Sequence, residues 1–164
     1  MRIGLLSDTH GYIDDKAVSF FQDCEEIWHA GDIGLNSVLD ALSPICPVKA
    51  VFGNIDDKLT RLSCPEYLVM EREGLKILMI HIAGPFAKYY GNVRKLILEH
   101  KPGMLVCGHS HILKISYDQS FSLLYVNPGA YGIQGFHQVR TALRFEILNC
   151  AVKNMEIYEI SRSL

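Results

Sequence analysis

Four short apolar runs in this chain each stop at a turn that carries metal-ligand side chains. Asp8-Thr9-His10 follows Ile3–Ser7, Gly31-Asp32 follows Glu26–His29, Gly53-Asn54 follows Val48–Phe52, and Gly108-His109-Ser110-His111 follows Met104–Cys107. A fifth run, Leu75–Ile80, closes on His81. Runs this short and this continuously apolar read as strands covered on both faces. In an open α/β sheet, side chains at the carboxyl ends of strands meet in a common crevice. Gathering Asp, His and Asn there costs desolvation and mutual repulsion, which a divalent cation offsets.

The segments between these runs have helical spacing. Ala17, Phe20, Phe21 and Cys24 predict a helix over Asp15–Cys24, and Leu35, Val38, Leu39 and Leu42 predict a second that stops before Pro44. Strand–helix alternation of this kind argues for a parallel sheet with crossover helices. Asp56–Cys64 reads as a polar loop. Tyr67–Glu71 and Leu75–Ile80 flank Arg72-Glu73-Gly74, a hairpin signal. A third helix is expected from Phe86 to His100, interrupted at Gly91 and ended by Lys101-Pro102-Gly103. Ile112–Tyr117, Ser122–Val126, Thr141–Leu148 and Met155–Ile160 then read as antiparallel strands. The order fits an α/β protein, a two-sheet β-sandwich flanked by helices, forming a single domain over residues 1–164.

Composition narrows the function classes. Of 164 residues, 49% are hydrophobic and 21% charged, which suits a globular chain able to bury a core. A formal charge of −2 provides no general basic field, so long nucleic acid is not an expected partner, whereas a small phosphodiester or nucleotide-like substrate is. The five cysteines are odd in number and lack a CxxC pair, which argues against zinc-finger or disulfide scaffolding. No run approaches the roughly 18 apolar residues of a membrane span, and the short apolar start does not resemble a signal peptide. The expected location is cytoplasmic.

The chemistry follows from the donor set. Asp8 and His10 can both face the crevice if the chain turns after Ser7. Asp32 has two oxygens with which to bridge two cations, and Asn54 adds a neutral oxygen. His81, His109 and His111 add imidazole nitrogens, with His109 and His111 on one side of an extended segment. Such a set exceeds what one tetrahedral zinc needs. It suits two divalent ions about 3.5–4 Å apart, sharing a carboxylate and a water or hydroxide. Nitrogen and oxygen donors without thiolate favour transition metals, Mn first, with Fe, Zn, Co or Ni also suited. His29 reads as a structural histidine at a strand end. The Tyr131–Arg140 loop, with Gln134, His137 and Arg140, either lines a pocket or is a solvated surface. Asp56 and Asp57 read as the start of a turn or helix, with a secondary option of supporting Asn54.

Asp8-x-His10, Gly31-Asp32, Gly53-Asn54, His81 and Gly108-His109-x-His111 together resemble, in order and spacing, the motifs of the calcineurin-like metallophosphoesterase superfamily, in particular its small bacterial and archaeal phosphodiesterase branch. The likeness extends to Asn127-Pro128-Gly129, although Ala130 stands where that branch usually has Ser. It implies that Asp8, His10, Asp32 and His111 hold one metal and that Asp32, Asn54, His81 and His109 hold the other. Asp32 would bridge, and a metal-bridging hydroxide would attack a phosphodiester. Asp32, Asn54 and His109 are the residues expected to act in catalysis, His109 by approaching a phosphate oxygen. Two positions depart from the family. Ile55 replaces a histidine that larger members use as proton donor, a loss that costs about 10²–10⁴-fold where the donor matters. Ile82-Ala83 replaces the usual Gly and polar residue after His81. A phosphomonoesterase, or a non-catalytic scaffold similar to the retromer subunit of this fold, are the competing expectations. Apolar hairpins near the C terminus suit a homodimer.

Overall fold

The structure, a computed structural model, describes residues 1–162. Its elements run β1 (Arg2–Leu6), α1 (Asp15–Phe20), β2 (Glu26–His29), α2 (Ser37–Leu42), β3 (Val48–Ala50), α3 (Lys58–Ser63), β4 (Tyr67–Arg72) and β5 (Leu75–Ile80). They continue with α4 (Gly91–His100), β6 (Met104–Val106), β7 (Leu113–Asp118), β8 (Leu123–Pro128), β9 (Val139–Leu148) and β10 (Ala151–Ser161). Two five-stranded sheets result, ordered β10-β9-β1-β2-β3 and β4-β5-β6-β8-β7. Each has a parallel trio, β1-β2-β3 or β5-β6-β8, with antiparallel strands outside it.

The continuous apolar runs are explained by three layers of packing. Alternate residues of a strand face opposite ways. Ile3, Leu5, Trp28, Ile77, Met79, Met104 and Val106 fill the space between the sheets, with Phe145 and Ile147 of β9. Leu6 and Ile27 face outward against Ala17 of α1 and Val38 and Leu42 of α2. Leu78, Ile80 and Leu105 face the other way, onto Val93 and Ile97 of α4. Both faces of each central strand are therefore covered, and the sandwich flanked by helices is the architecture expected.

A buried ion pair links the two sheets. Arg72 of β4 donates to both oxygens of the buried Glu26 on β2, at 2.9–3.2 Å, and Trp28 Nε1 donates to the same carboxylate at 2.6 Å.

Several expectations about individual elements need correcting. The stretch Asp56–Cys64 is not simply a loop: it contains α3, whose first turn is capped by Asp57 accepting from Thr60 N–H at 2.8 Å. The expected Phe86–His100 helix begins only at Gly91. Gly84 and Ala87 adopt φ of 87° and 62°, and Pro85 lies between, so 81–90 folds as an irregular flap with Tyr89 bonded to Asp118. Helix α1 ends at Phe20, four residues short of Cys24. The C-terminal strands are not all antiparallel, because β8 pairs in parallel with β6. The last strand begins at Ala151 rather than Met155, with a bulge between Lys153 and Glu156.

Candidate metal centre

The two parallel trios deliver their carboxyl ends to the same rim of the sandwich, where backbone hydrogen bonds join the turns. Asp8 N–H donates to Gly31 O, His10 N–H to Asp32 O, and Gly108 N–H to His81 O, each at 3.0 Å. Five of the seven expected donors have left-handed backbone: Asp8 (φ 53°), His10 (48°), Asp32 (55°), His109 (68°) and His111 (58°). Each such residue costs about 1–2 kcal/mol relative to ordinary backbone, and strain of this kind concentrates at functional sites. The turns are packed closely as well. A Cβ on Gly108 would collide with Ser7 Oγ and the Asp8 carboxylate, so only glycine lets the loop after β6 approach β1. That approach allows His109 N–H to donate to Asp8 Oδ2 at 3.0 Å.

Two clusters of donors result. The ligand atoms of Asp8, His10 and His111 lie within 4.8 Å of one another, and so do those of Asp32, His81 and His109. The clusters share a boundary. His111 Nε2 is 3.3 Å from both Asp8 Oδ1 and His10 Nε2. His81 Nε2 is 3.2 Å from Asp32 Oδ1 and 3.9 Å from Asp8 Oδ1. The other Asp32 oxygen, Oδ2, points toward the first cluster, 4.0 Å from His10 Nε2. Asp32 thus presents one oxygen to each group.

His81 tests whether such a site fits a cation. Its Nδ1 lies 2.7 Å from Ala30 O, a carbonyl that can only accept, so Nδ1 carries the proton. The buried Nε2 has no hydrogen-bond partner and faces a carboxylate oxygen. A lone pair against an anion is repulsive unless positive charge sits between them. Without an ion, a proton on Nε2 would serve the same end. Burial opposes a charged His81, but the carboxylates of Asp32 and Asp8 outweigh it and hold its pKa above the usual value. Burial likewise works to raise Asp32, yet His81, the Ile55 N–H at 3.1 Å and His10 bring its pKa below normal. A divalent ion would satisfy the same arrangement, and the nitrogen-and-oxygen donor set suits one.

Asn54 is exposed and lines a cavity beside His81. Its segment is clamped from both sides. The buried Asp56 carboxylate accepts from Ile33 N–H (3.2 Å), Gly34 N–H (2.7 Å) and Gly53 N–H (2.7 Å). Arg61 donates to the carbonyls of Gly53, Asn54 and Asp56 at 2.7–3.2 Å, with its guanidinium over Phe52. Asp56 therefore supports the Asn54 turn, the secondary option of the sequence reading, while Asp57 takes the helix-start role.

His29 is structural, as expected: Nε2 bonds Thr9 Oγ1 at 2.9 Å, Nδ1 accepts from Gly31 N–H, and burial pushes its pKa down to about 4. Arg140 is engaged in a structural cluster. It lies over the rings of Tyr12 and Tyr131 and pairs with Asp14 at 3.0 Å. Asn127 braces the His109–His111 loop by donating to Gly108 O at 2.8 Å and Ser110 Oγ at 3.1 Å. The rings of Phe136, which sequence reasoning did not single out, and of His137, which it placed in a loop that either lines a pocket or is solvated, pack against His111 at 5.9 and 5.2 Å between centroids.

Two cavities open on the second cluster. One, of about 330 Å³, includes Asn54, Arg61, His81 and Asn92. The other, of about 420 Å³, includes Phe86, His109, Lys114 and Tyr125. Ile82 and Tyr90 contribute to both.

Residues 1–149 match the calcineurin-like phosphoesterase superfamily domain. The chain belongs to that superfamily. A probable metallophosphoesterase of Methanocaldococcus jannaschii is 34% identical to it over 140 residues, which cover 79% of this chain and 68% of that protein. Among solved structures, an archaeal phosphodiesterase has a TM-score of 0.77 at 21% identity, covering 98% of this chain and 99% of its own. Vps29 of Entamoeba histolytica in complex with zinc has a TM-score of 0.75 at 15% identity, covering 99% and 100%. At these identities the structural likenesses show the shared calcineurin-like fold.

Proposed function

We propose that this phosphoesterase hydrolyses phosphodiesters at a centre for two divalent metal ions. The reading is carried by the two donor clusters meeting at Asp32, whose oxygens face opposite sides. Asp8, His10, Asp32 and His111 would hold one ion, and Asp32, Asn54, His81 and His109 the other. When bound, such a pair supplies Lewis acidity that activates water and neutralises charge on a phosphate. The chain's own residues do the rest. His109 N–H and the Ile55 N–H hold the carboxylates of Asp8 and Asp32 in place. His109, exposed at the rim, is free to approach a phosphate oxygen. Manganese and a cytoplasmic setting remain part of this proposal.

A diester is favoured over a monoester by the paired cavities. A phosphorus atom beside His81 and His109 would have room for one substituent toward Arg61 and Asn92 and another toward Phe86 and Tyr125. A monoester would leave one of the two spaces unused. The likeness to Vps29 fits a second reading, a non-catalytic scaffold, and because that Vps29 was solved with zinc, metal uptake alone does not separate the readings.

The deciding experiment treats metal-free protein with Mn²⁺ and assays bis(p-nitrophenyl) phosphate alongside p-nitrophenyl phosphate. Metal-dependent turnover that is faster on the diester is expected and should vanish in Asp32→Ala. Preference for the monoester would overturn the diester assignment. Metal uptake without turnover on either compound or on a wider phosphoester panel would favour the scaffold.

A further inference from the structure

Two buried nitrogens beside the centre lack partners, and their chemistry is complementary. Among the described residues, His111 Nδ1 and His137 Nδ1 are both buried without a hydrogen bond. The two rings meet edge to face, 5.2 Å between centroids at 76°. Both nitrogens border the bare face of Gly135: a Cβ there would stand 2.5 Å from His111 Nδ1 and 3.1 Å from His137 Nδ1. Residue 135 has φ of 119°, so an L side chain is excluded by its backbone as well as by space.

The protons can be assigned from the partners. His137 Nε2 lies 2.9 Å from Gly132 O, and a carbonyl only accepts, so Nε2 carries the hydrogen and Nδ1 presents a lone pair. His111 directs Nε2 toward Asp8 and His10. If that nitrogen is the metal donor, as the proposed function holds, the neutral ring keeps its hydrogen on Nδ1, on the side of His137. A metal-bound histidine usually gives that second N–H to a carboxylate, a carbonyl or water, which fixes its tautomer and strengthens it as a donor.

We propose that His137 is a positioning residue for the first metal, accepting the Nδ1–H of His111 and holding the ring with its Nε2 lone pair toward Asp8 and His10. The inference rests on the reading of His111 as a ligand. The surrounding segment is built to keep the pair together. Phe136 stacks on the His111 ring at 15°. Arg162 donates to the carbonyls of Gly135 and His137, and its own N–H bonds Gln138 O at 3.0 Å, tying the loop to the end of β10. His81 serves as the internal contrast, since its Nδ1–H goes to the Ala30 carbonyl. The two clusters therefore use different acceptors, an imidazole for one and a backbone oxygen for the other, and loss of His137 should affect only one ion.

The test is calorimetric titration of metal-free protein with Mn²⁺ alone. Wild type is expected to take up two ions. His137→Phe, which keeps a ring but has no acceptor, should weaken one of them by about 10–100-fold and leave the other unchanged. His137→Asn, whose Oδ1 can occupy the place of Nδ1, should restore most of that loss. Two wild-type affinities in His137→Phe would overturn the proposal, as would an Asn variant no better than Phe, which would reduce His137 to a space-filling ring. Failure of wild type to bind two ions would instead sink the parent assignment of the centre. Should His137→Phe not fold, ¹⁵N NMR of the Zn²⁺-loaded wild type decides. A coupling across the hydrogen bond between the two Nδ1 atoms is expected, and a His111 protonated at Nε2 would refute the idea.

Discussion

At the scale of single residues, Ile55 and His29 give the clearest consequences. Ile55 lends its backbone N–H to Asp32, but its side chain cannot protonate a leaving group. Turnover is therefore expected to fall steeply as the leaving-group pKa rises. Ile55→His should raise turnover of an alkyl diester by about tenfold or more while changing an activated aryl diester little, since a positioned proton donor matters most for poor leaving groups. A flat leaving-group dependence in the wild type would contradict this. His29 is kept neutral by burial, with its pKa near 4 instead of 6.5. Between those values the unfolded chain holds a proton that the folded chain does not, so stability falls as pH drops from 6.5 toward 4. The loss amounts to about 3 kcal/mol at the lower end. His137, whose pKa burial also lowers, adds to the same slope. His81, with a raised pKa, contributes stability below 6.5 that is lost only as pH climbs through its folded value, so it does not oppose this window. Urea unfolding in chelator across that range should show the slope, and His29→Gln should flatten it. An unaltered slope would remove His29 as its source. The donors were legible because each closes an apolar run, whereas the contact of His137 with His111 was not: His137 lies 26 positions beyond His111, and only the tertiary path of its loop brings the rings together.

Among the elements, the strands were easier to read than their connections. Continuous apolar runs such as Ile3–Leu6 and Met104–Val106 need cover on both faces, which points to a sandwich with outer helices. The Phe86–Ile97 stripe misled because Phe86 and Tyr89 join the same cluster as Val93 and Ile97 without belonging to the helix. Periodicity records which side a residue packs on, and Pro85 with Ala87 at positive φ decides that the helix waits for Gly91. Helix α3 was hidden by its polar sequence, which Asp57 starts and Arg61 anchors. Asp56 ties this connection to the one after β2 through the amides of Ile33 and Gly34, and accepts from Gly53 N–H within its own connection. Asp56→Ala, which strands those donors, should cost about 3 kcal/mol or more. Asp56→Asn is expected to fold but to bind metal more weakly, because the turns bearing Asp32 and Asn54 are no longer held together. Denaturant midpoints and metal titration on both variants check this, and wild-type affinity in Asp56→Asn would show that the clamp does not set the site.

For the molecule as a whole, the two sheets meet across an apolar interior, into which Arg72 and Glu26 bring an ion pair away from the donor rim. Removing Arg72 leaves a buried carboxylate with, among the described residues, only Trp28 for support. Arg72→Ala should therefore cost about 3 kcal/mol, toward the lower end for a broken buried pair because Arg72 is 22% exposed. Replacing both partners with apolar residues should recover much of that loss, and a double-mutant cycle measured by urea unfolding separates the two outcomes. The rim where the sheets converge carries a different tension. Five donor positions are held with backbone that L residues adopt reluctantly, and glycine would relieve about 1 kcal/mol at a half-buried position such as His10. A population of variants selected only to survive heating, with no demand for catalysis, would thus drift toward glycine at these corners, gaining durability by erasing the very chemistry the corners support.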